Sequence, residues 1–193
     1  MPGCALQAAA LPAEVLETHI TRSEEMDMLL RTVVALLAFC SLPLIAAESE
    51  MPTGKEVMKQ NQALIQNNLD DADYKRKQIV KAHMDLAGAE NEKFWPIYNT
   101  YRAEALKINK GILETMIDYG QAYSKGYVTD DLATDLLNRI YTLQEDHIQL
   151  REKYTRRLAD EISPKRAMRF LQIETQLDAM LEIDISRQVP LAE

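Results

Sequence analysis

The chain contains few cysteines, glycines and prolines for its 193 residues. Its two cysteines are Cys4 and Cys40, so the sequence beyond residue 40 cannot form a disulfide framework, a thiolate zinc site or a cysteine nucleophile. It has six glycines and seven prolines, and four of the prolines precede residue 55. A long stretch with so few breaking residues favours helix over sheet. The length fits one domain of ordinary size, so we expect a single all-α domain.

The chain also has fewer basic residues than acidic ones. Lysine and arginine number 22 against 30 aspartates and glutamates, which gives a net charge of −8. A nucleic-acid partner would require a basic face against the phosphates, so the composition argues against nucleic-acid binding.

The segment 26–47 has the pattern of a secretory signal. Arg31 precedes the apolar run 32–39, and small residues follow up to Ala47. The run is short for a membrane span, which needs about 20 apolar residues. We therefore predict cleavage near Ala47, a periplasmic location and no stable membrane insertion after cleavage.

A secretory signal normally begins near the first residue of a chain, yet residues 1–25 precede the segment 26–47. We interpret these residues as an upstream extension outside the native chain, with translation starting at Met26 or Met28. The alternative is a cytoplasmic tail on a single-span anchor, in which the signal is retained.

A flexible leader, 48–54, is predicted to precede a helical domain over 55–188 and a short tail over 189–193. The first helical region spans about 55–84 and has a thin apolar stripe. Aspartates interrupt it at 70, 71 and 73, so the region is either one helix or two divided there. The predicted stripe is Met58, Ile65, Ala72 and Ile79.

The second predicted helix spans about 89–125, because apolar residues recur there at steps of three and four. Pro96 falls inside this pattern. Since proline removes a backbone donor and clashes with the preceding turn, we expect a kink near Pro96. The predicted inward face is Phe94, Ile97, Tyr98, Tyr101, Ala105, Ile108, Ile112, Met116, Tyr119 and Tyr123.

The third helix is predicted to start after a cap at Thr129, and Ser163-Pro164 is predicted to start a fourth that runs to about residue 187. Helices two and three would each be about 50 Å long and, with a short connection, form an antiparallel hairpin. Helices one and four would cover it. We expect an elongated four-helix arrangement with coiled-coil-like stripes and a tendency to form a homodimer. The third stripe is Leu132, Leu136, Ile140, Leu143, His147, Leu150, Tyr154, Leu158 and Ile162; the fourth is Phe170, Ile173, Leu177, Met180 and Leu181.

The residues that carry most enzyme chemistry are sparse. Beyond the signal only His83 and His147 remain, on different helices, and we favour a buried, hydrogen-bonded role for His147 over a ligand or a base. Carboxylates adjacent in sequence point about 100° apart on a helix, so we expect them to be solvated. These pairs are Asp130/Asp131, Glu145/Asp146 and Asp160/Glu161. We predict no enzyme activity, no cofactor, no metal site and no catalytic residue.

Aromatic residues of the second helix are the main candidates for binding. One interpretation is core packing, with phenol oxygens reaching the surface. The other is a groove for an unfolded or helical client or partner protein. Trp95 points away from the Phe94/Tyr98 side and is expected to be exposed or to lie under the first helix. The candidate face is Phe94, Trp95, Tyr98, Tyr101, Tyr119 and Tyr123.

Two predicted turns resemble the Leu-Thr-x-x-Gln motif of Spy/CpxP-type periplasmic helical proteins. They are 86–90 (LAGAE) and 162–166 (ISPKR). In that motif leucine is a staple, the hydroxyl a cap, and glutamine closes a capping box. Here Leu86 and Ser163 match, and the first turn lacks a capping hydroxyl unless Asp85 supplies the cap.

Most of the chain beyond the signal is also similar to a group of small exported proteobacterial helical proteins without an assigned function. The matching segments are Lys75–Lys81, the Phe-Trp-Pro-x-Tyr segment Phe94–Tyr98, Pro164 to Glu174 and Val189–Leu191.

These resemblances imply a non-enzymatic periplasmic protein that binds other proteins and is chaperone-like or related to envelope stress. The alternatives are a regulatory or structural partner of a membrane sensor, or a metal-stress sensor.

Overall fold

The computed structural model describes residues 51–192, of which 85% are helical. Within this range there are five helices and no strand, so the all-α prediction is confirmed. The predicted upstream extension, signal and cleavage site lie in 1–50, outside the described residues. No helix between 51 and 192 is long and apolar enough to cross a membrane. The helices are α1 (Gly54–Gln60), α2 (Gln62–Met84), α3 (Ala89–Ser124), α4 (Asp130–Glu161) and α5 (Pro164–Ser186).

The first helical region is divided, but not at the aspartates. The division is at Asn61, whose side-chain amide donates to the carbonyl of Val57 at 2.9 Å. Helix α2 continues through Asp70, Asp71 and Asp73. Of the two alternatives, the division at the aspartates was wrong, because a helix tolerates acidic residues that have partners. Asp73, for example, accepts a hydrogen bond from Arg102 at 2.7 Å.

The two predicted helix caps are confirmed. The hydroxyl of Thr129 accepts from the backbone N–H of Leu132 at 3.3 Å, and that of Ser163 accepts from Arg166 at 3.3 Å. Asp85 does not cap α3, because it has a left-handed conformation (φ 52°) and ends α2. Gly88 precedes α3, at φ 50°, with no side-chain cap.

The long helices α3 and α4 form the predicted antiparallel hairpin. Tyr154 and Lys153 of α4 contact Glu104 of α3, and Arg139 of α4 contacts Asp118 of α3. The two helices therefore run antiparallel. Helix α5 packs on α4, α2 packs on α5, and α1 packs on α3. Pro96 lies inside α3, which is continuous to Ser124, and the kink stays a prediction.

The main core lies between α2, α3, α4 and α5, at the end of the hairpin where α3 begins. Its buried residues are Val80, Met84, Phe94, Ile97, Tyr98, Tyr101, Ala105, Leu150, Tyr154, Leu158, Ala167, Phe170 and Ile173. A smaller cluster joins α1, α2 and α3 and consists of Val57, Ile65, Leu69 and Ile117.

The predicted faces match the main core on the first half of α3 and on α5, and they are only partly right on α1, α2 and the second half of α3. In α1 and α2, Met58, Ala72 and Ile79 are only partly buried, and Val57, Leu69, Val80 and Met84 are buried instead. The buried residues in the second half of α3 are Thr115, Ile117, Gln121 and Ala122, whereas Ile112, Met116, Tyr119 and Tyr123 are only partly buried. Helix α1 causes this difference, because it packs on α3 from a second side and the backbone N–H of Gly54 donates to Asp118.

Candidate functional site

The six aromatic candidates separate into two groups along α3. Phe94, Tyr98 and Tyr101 are fully buried in the main core, so a partner cannot reach them in this conformation. Tyr119 and Tyr123 lie near the other end of α3, partly exposed, with ring centroids 5.9 Å apart. The six residues therefore do not form one open face.

Trp95 is neither exposed nor covered by α1. It is partly buried at the edge of the main core, where its ring meets Phe94 edge-on at 5.2 Å and Tyr98 at 5.6 Å. Its indole N–H donates to Asn91 at 2.7 Å. These contacts give Trp95 the geometry of a core-edge residue.

A buried cluster of charges joins α2, α3, α4 and α5, with Glu174 at its centre. The carboxylate of Glu174 is fully buried and accepts from Arg76 at 2.7 Å and from the Tyr101 hydroxyl at 2.9 Å. The Tyr98 hydroxyl donates to its other oxygen at 3.3 Å. The phenol oxygens of Tyr98 and Tyr101 thus reach a buried carboxylate rather than the surface.

Asp178, one turn beyond Glu174 on α5, extends this charge cluster. It accepts from Arg76 at 2.6 Å, and Arg151 lies 3.4 Å from its other oxygen. Arg102 bonds Asp73 at 2.7 Å and lies 3.8 Å from Glu174. The charge cluster therefore contains three arginines and three carboxylates. They are Arg76, Arg102 and Arg151, and Asp73, Glu174 and Asp178.

The surroundings of Arg76, Tyr98 and Tyr101 in the charge cluster shift the pKa of each of these three groups. Burial opposes the charge of Arg76, but Glu174 and Asp178 outweigh it and raise its pKa above the usual value. Burial, followed by the charge of Glu174, raises the pKa of Tyr98 and of Tyr101, so both phenols stay protonated donors. With its carboxylates held by arginines, the cluster fits a structural tie between helices better than a site for proton transfer.

The sequence did carry a signal for this charge cluster. Glu174 and Asp178 are four residues apart and lie within the apolar stripe that Phe170, Ile173 and Leu177 define on α5. Carboxylates at that spacing share one helix face, so their burial could have been expected. The three carboxylate pairs that are adjacent in sequence are exposed, as expected.

His147, predicted to be buried and hydrogen-bonded, is partly buried at the edge of this charge cluster, and its contact with Asp178 is longer than a hydrogen bond. Its side chain is 16% exposed, and Nε2 lies 3.7 Å from Asp178. Burial lowers its pKa below the usual value, and Asp178 opposes this only in part. Among residues 51–192 no group of three or more His, Cys, Asp or Glu side chains could hold a metal ion.

The two turns that resemble the Leu-Thr-x-x-Gln motif meet at one end of the molecule. Their fifth residues, Glu90 and Arg166, form an ion pair at 2.8 Å, and Arg166 also donates to the carbonyl of Met84 at 3.2 Å. The hydrogen bond from Arg166 lowers the pKa of Glu90. Their first residues, Leu86 and Ile162, both pack against the main core.

The solvent side of α4 carries an open apolar surface that its sequence pattern does not indicate. Four large side chains are exposed there: Leu137 by 52%, Ile140 by 40%, Tyr141 by 65% and Ile148 by 58%. With the exposed Gln144 they lie within an arc of about 100° on the helix, and we call these five residues the α4 strip. Ile140 had been assigned to the core, but it lies at the edge of the buried face.

Between residues 137 and 148 the titratable residues are Arg139, Glu145, Asp146 and His147; they lie outside this arc, and the exposed Glu145 is about 40° beyond Tyr141. Arg139 points to α3, where it bonds Asp118 at 2.6 Å, and His147 faces α5. The α4 strip is therefore uncharged over about three helical turns.

No protein-family model, curated protein or solved structure matches the chain.

Proposed function

We propose that this chain is a non-enzymatic protein that binds other proteins through the α4 strip, in a chaperone-like or envelope-stress role. The exposure of four large apolar side chains in one uncharged row carries the proposal. Single exposed apolar residues are ordinary, whereas a contiguous row is typical of a contact surface.

The chemistry of the α4 strip indicates the class of partner. Leucine and isoleucine favour an apolar segment, and Tyr141 adds a ring with a polar tip that tolerates different neighbours. An amphipathic helix or an unfolded apolar stretch fits such a surface, because both present apolar side chains in a row.

The charge cluster supports a binding role over a catalytic one. Glu174 and Asp178 are the fully or nearly buried carboxylates of the described residues, and both accept from Arg76. A buried carboxylate whose oxygens already accept hydrogen bonds from arginine is poorly placed to take a proton from a substrate.

The periplasmic location is part of the same proposal and rests on the signal pattern in 26–47. The resemblance of the turns at 86–90 and 162–166 to Spy/CpxP-type proteins supports both the location and the chaperone-like role.

The test is suppression of aggregation without nucleotide, using a client unfolded by reduction of its disulfides. We expect the protein to slow the aggregation at up to equimolar ratio, and the double variant Tyr141→Ser, Ile148→Gln to lose most of that effect. Leu64→Gln on α2 is the matched control, since Leu64 is 48% exposed and lies off the α4 strip.

Aggregation at the rate of the client alone would contradict the chaperone-like role. Equal losses in the double variant and in Leu64→Gln would show that the α4 strip is not the surface used. A single cross-linked partner together with no general suppression would favour the regulatory alternative.

A further inference from the structure

We infer that Tyr119 and Tyr123 form a docking site for an extended, proline-containing segment of a partner protein. Residues 189–192 of this chain, which we call the strap, occupy that site and leave it when the partner binds. The site lies on α3, whereas the α4 strip lies on another helix, so it is a second interaction surface. Two features that the sequence already marks meet here, the aromatic face of α3 and the segment Val189–Leu191.

The tyrosine pair supplies both an apolar surface and a hydrogen-bond donor. Tyr119 and Tyr123 are one helical turn apart, with ring centroids separated by 5.9 Å and ring planes inclined by 38°. Both side chains are partly exposed and lie outside the main core. Burial and the neighbouring Tyr123 raise the pKa of Tyr119, so the Tyr119 hydroxyl remains protonated and able to donate.

The strap already binds this donor within the chain. The Tyr119 hydroxyl donates to the carbonyl of Pro190 at 2.7 Å, although the two residues are 71 positions apart. The last turn after α5 ends just before Pro190, since the N–H groups of Gln188 and Val189 both donate to the carbonyl of Ile185. Proline has no N–H and cannot continue the helix, and it favours extended backbone at the residue before it. The strap therefore offers a free carbonyl to the tyrosine.

This contact indicates which partner segment fits the site. Grooves lined by aromatic residues recognise proline-rich segments in the polyproline II conformation. A segment in that conformation has no internal hydrogen bonds, so its carbonyls are available to a tyrosine hydroxyl. The fixed φ of proline also lowers the entropy lost when the segment is ordered. We therefore expect the partner to present a proline preceded by an apolar residue, as Val189 precedes Pro190.

The strap is held weakly enough to be replaced. Val189 is partly buried, but Pro190 is exposed and Leu191 is 87% exposed. The strap thus buries little apolar surface, and one hydrogen bond near the protein surface stabilises it only modestly. A tethered segment has an effective concentration in the millimolar range, which keeps the site occupied when no partner is present. A partner segment that makes more contacts can displace it.

A titration followed by NMR of the full-length, ¹⁵N-labelled protein tests the inference. The probe is a peptide with the sequence of residues 187–192, RQVPLA, added to about 5 mM. We expect the amide signals of Tyr119 and Tyr123 to shift, while those of Leu191 and Ala192 move to random-coil positions as the strap leaves. The same peptide with alanine in place of proline should bind about two- to fivefold more weakly.

Variants of the strap test the competition. Pro190→Gly keeps the carbonyl but makes the strap more flexible, so this chain should bind the peptide at least about twofold more tightly than the wild type. Ala192→Gly, beyond the bonded carbonyl, should bind the peptide as the wild type does. Peptide binding that is unaffected by Pro190→Gly would contradict competition between strap and peptide.

A variant of the site tests the hydrogen bond. Tyr119→Phe removes only the hydroxyl, and without peptide it should move the Leu191 and Ala192 signals towards random-coil positions. Tyr127→Phe, which removes the hydroxyl of a tyrosine that is 64% exposed on the connection after α3, should leave those signals unchanged. A strap that stays in place in Tyr119→Phe would overturn the inference.

A peptide that leaves the Tyr119 and Tyr123 signals unshifted would also overturn it. The double variant Tyr141→Ser, Ile148→Gln leaves α3 untouched and should bind the peptide like the wild type. Loss of peptide binding in that variant would contradict the separation of the two surfaces.

Discussion

Replacing Glu174 by glutamine removes one charge from the centre of the buried cluster and keeps the side chain's size. Arg76 loses its carboxylate partner at 2.7 Å, and the hydroxyls of Tyr98 and Tyr101 lose a charged acceptor. The new amide group carries hydrogens into a site already occupied by donors. Because Glu174 is fully buried, water cannot replace what is lost.

The expected loss follows from these contacts. Breaking a buried ion pair by removing one partner costs about 3–5 kcal/mol. Arg76 keeps Asp178 at 2.6 Å, and the glutamine carbonyl can still accept one bond, so we take the lower end, about 3 kcal/mol. Domains of this kind have a free energy of unfolding of about 5–15 kcal/mol, so the variant should still fold.

Urea denaturation followed by helical circular dichroism measures the loss. With a slope of about 2 kcal/mol per M, a loss of about 3 kcal/mol lowers the midpoint by about 1.5 M. Glu152→Gln is the control, since it removes the same charge from an exposed ion pair with Arg156 on α4. If Glu174→Gln lowers the midpoint no more than Glu152→Gln does, the charge cluster does not tie the helices together.

Three further predictions concern single residues. Burial lowers the pKa of His147 in the folded chain. The imidazole of the unfolded chain is protonated near pH 6.5, whereas that of the folded chain is protonated only at lower pH. The free energy of unfolding should therefore fall as the pH drops below about 6.5. His147→Gln should therefore lose less of its urea midpoint between pH 7.5 and 5.5 than the wild type, and equal losses would contradict this. Ser163→Ala removes the cap of α5 and should cost about 1 kcal/mol of unfolding free energy in the same assay, whereas no measurable cost would argue against the cap. Gly54→Ala places a methyl 2.5 Å from the carbonyl oxygen of Glu114, so it should cost about 1–3 kcal/mol and speed hydrogen exchange in α1 while α5 stays protected. Lys55→Ala, at an exposed position beside it, should leave exchange in α1 unchanged.

The helices and their ends could be predicted because the signals are local. A cap at Thr129 or Ser163 and the turn after α3 act over four or five residues, and the predicted bounds of α3, α4 and α5 lie within about two residues of the observed ones. The break at Asn61 was missed because asparagine inside a polar stretch does not stand out from its neighbours.

The buried faces could be predicted only where a helix packs mainly along one stripe. The first half of α3 meets that condition, and the second half does not, since α1 approaches it from another side. The periodicity of apolar residues gives one average direction for the whole helix, so it cannot show that a second helix packs against only one half of α3. The binding face inferred from aromatic residues was affected in the same way, as Phe94, Tyr98 and Tyr101 proved to be core.

The sequence by itself determined an all-α domain, a long hairpin and the capped starts of α4 and α5, because scarce breakers, apolar period and capping residues act within one segment of chain. Only the tertiary structure decided that Glu174 lies among arginines and tyrosines from other helices, and that Leu137, Ile140, Tyr141 and Ile148 remain open. Both depend on which helix covers which face. The covered faces are determined by packing between residues up to about a hundred positions apart, such as Arg76 and Glu174. A local sequence pattern therefore cannot predict them.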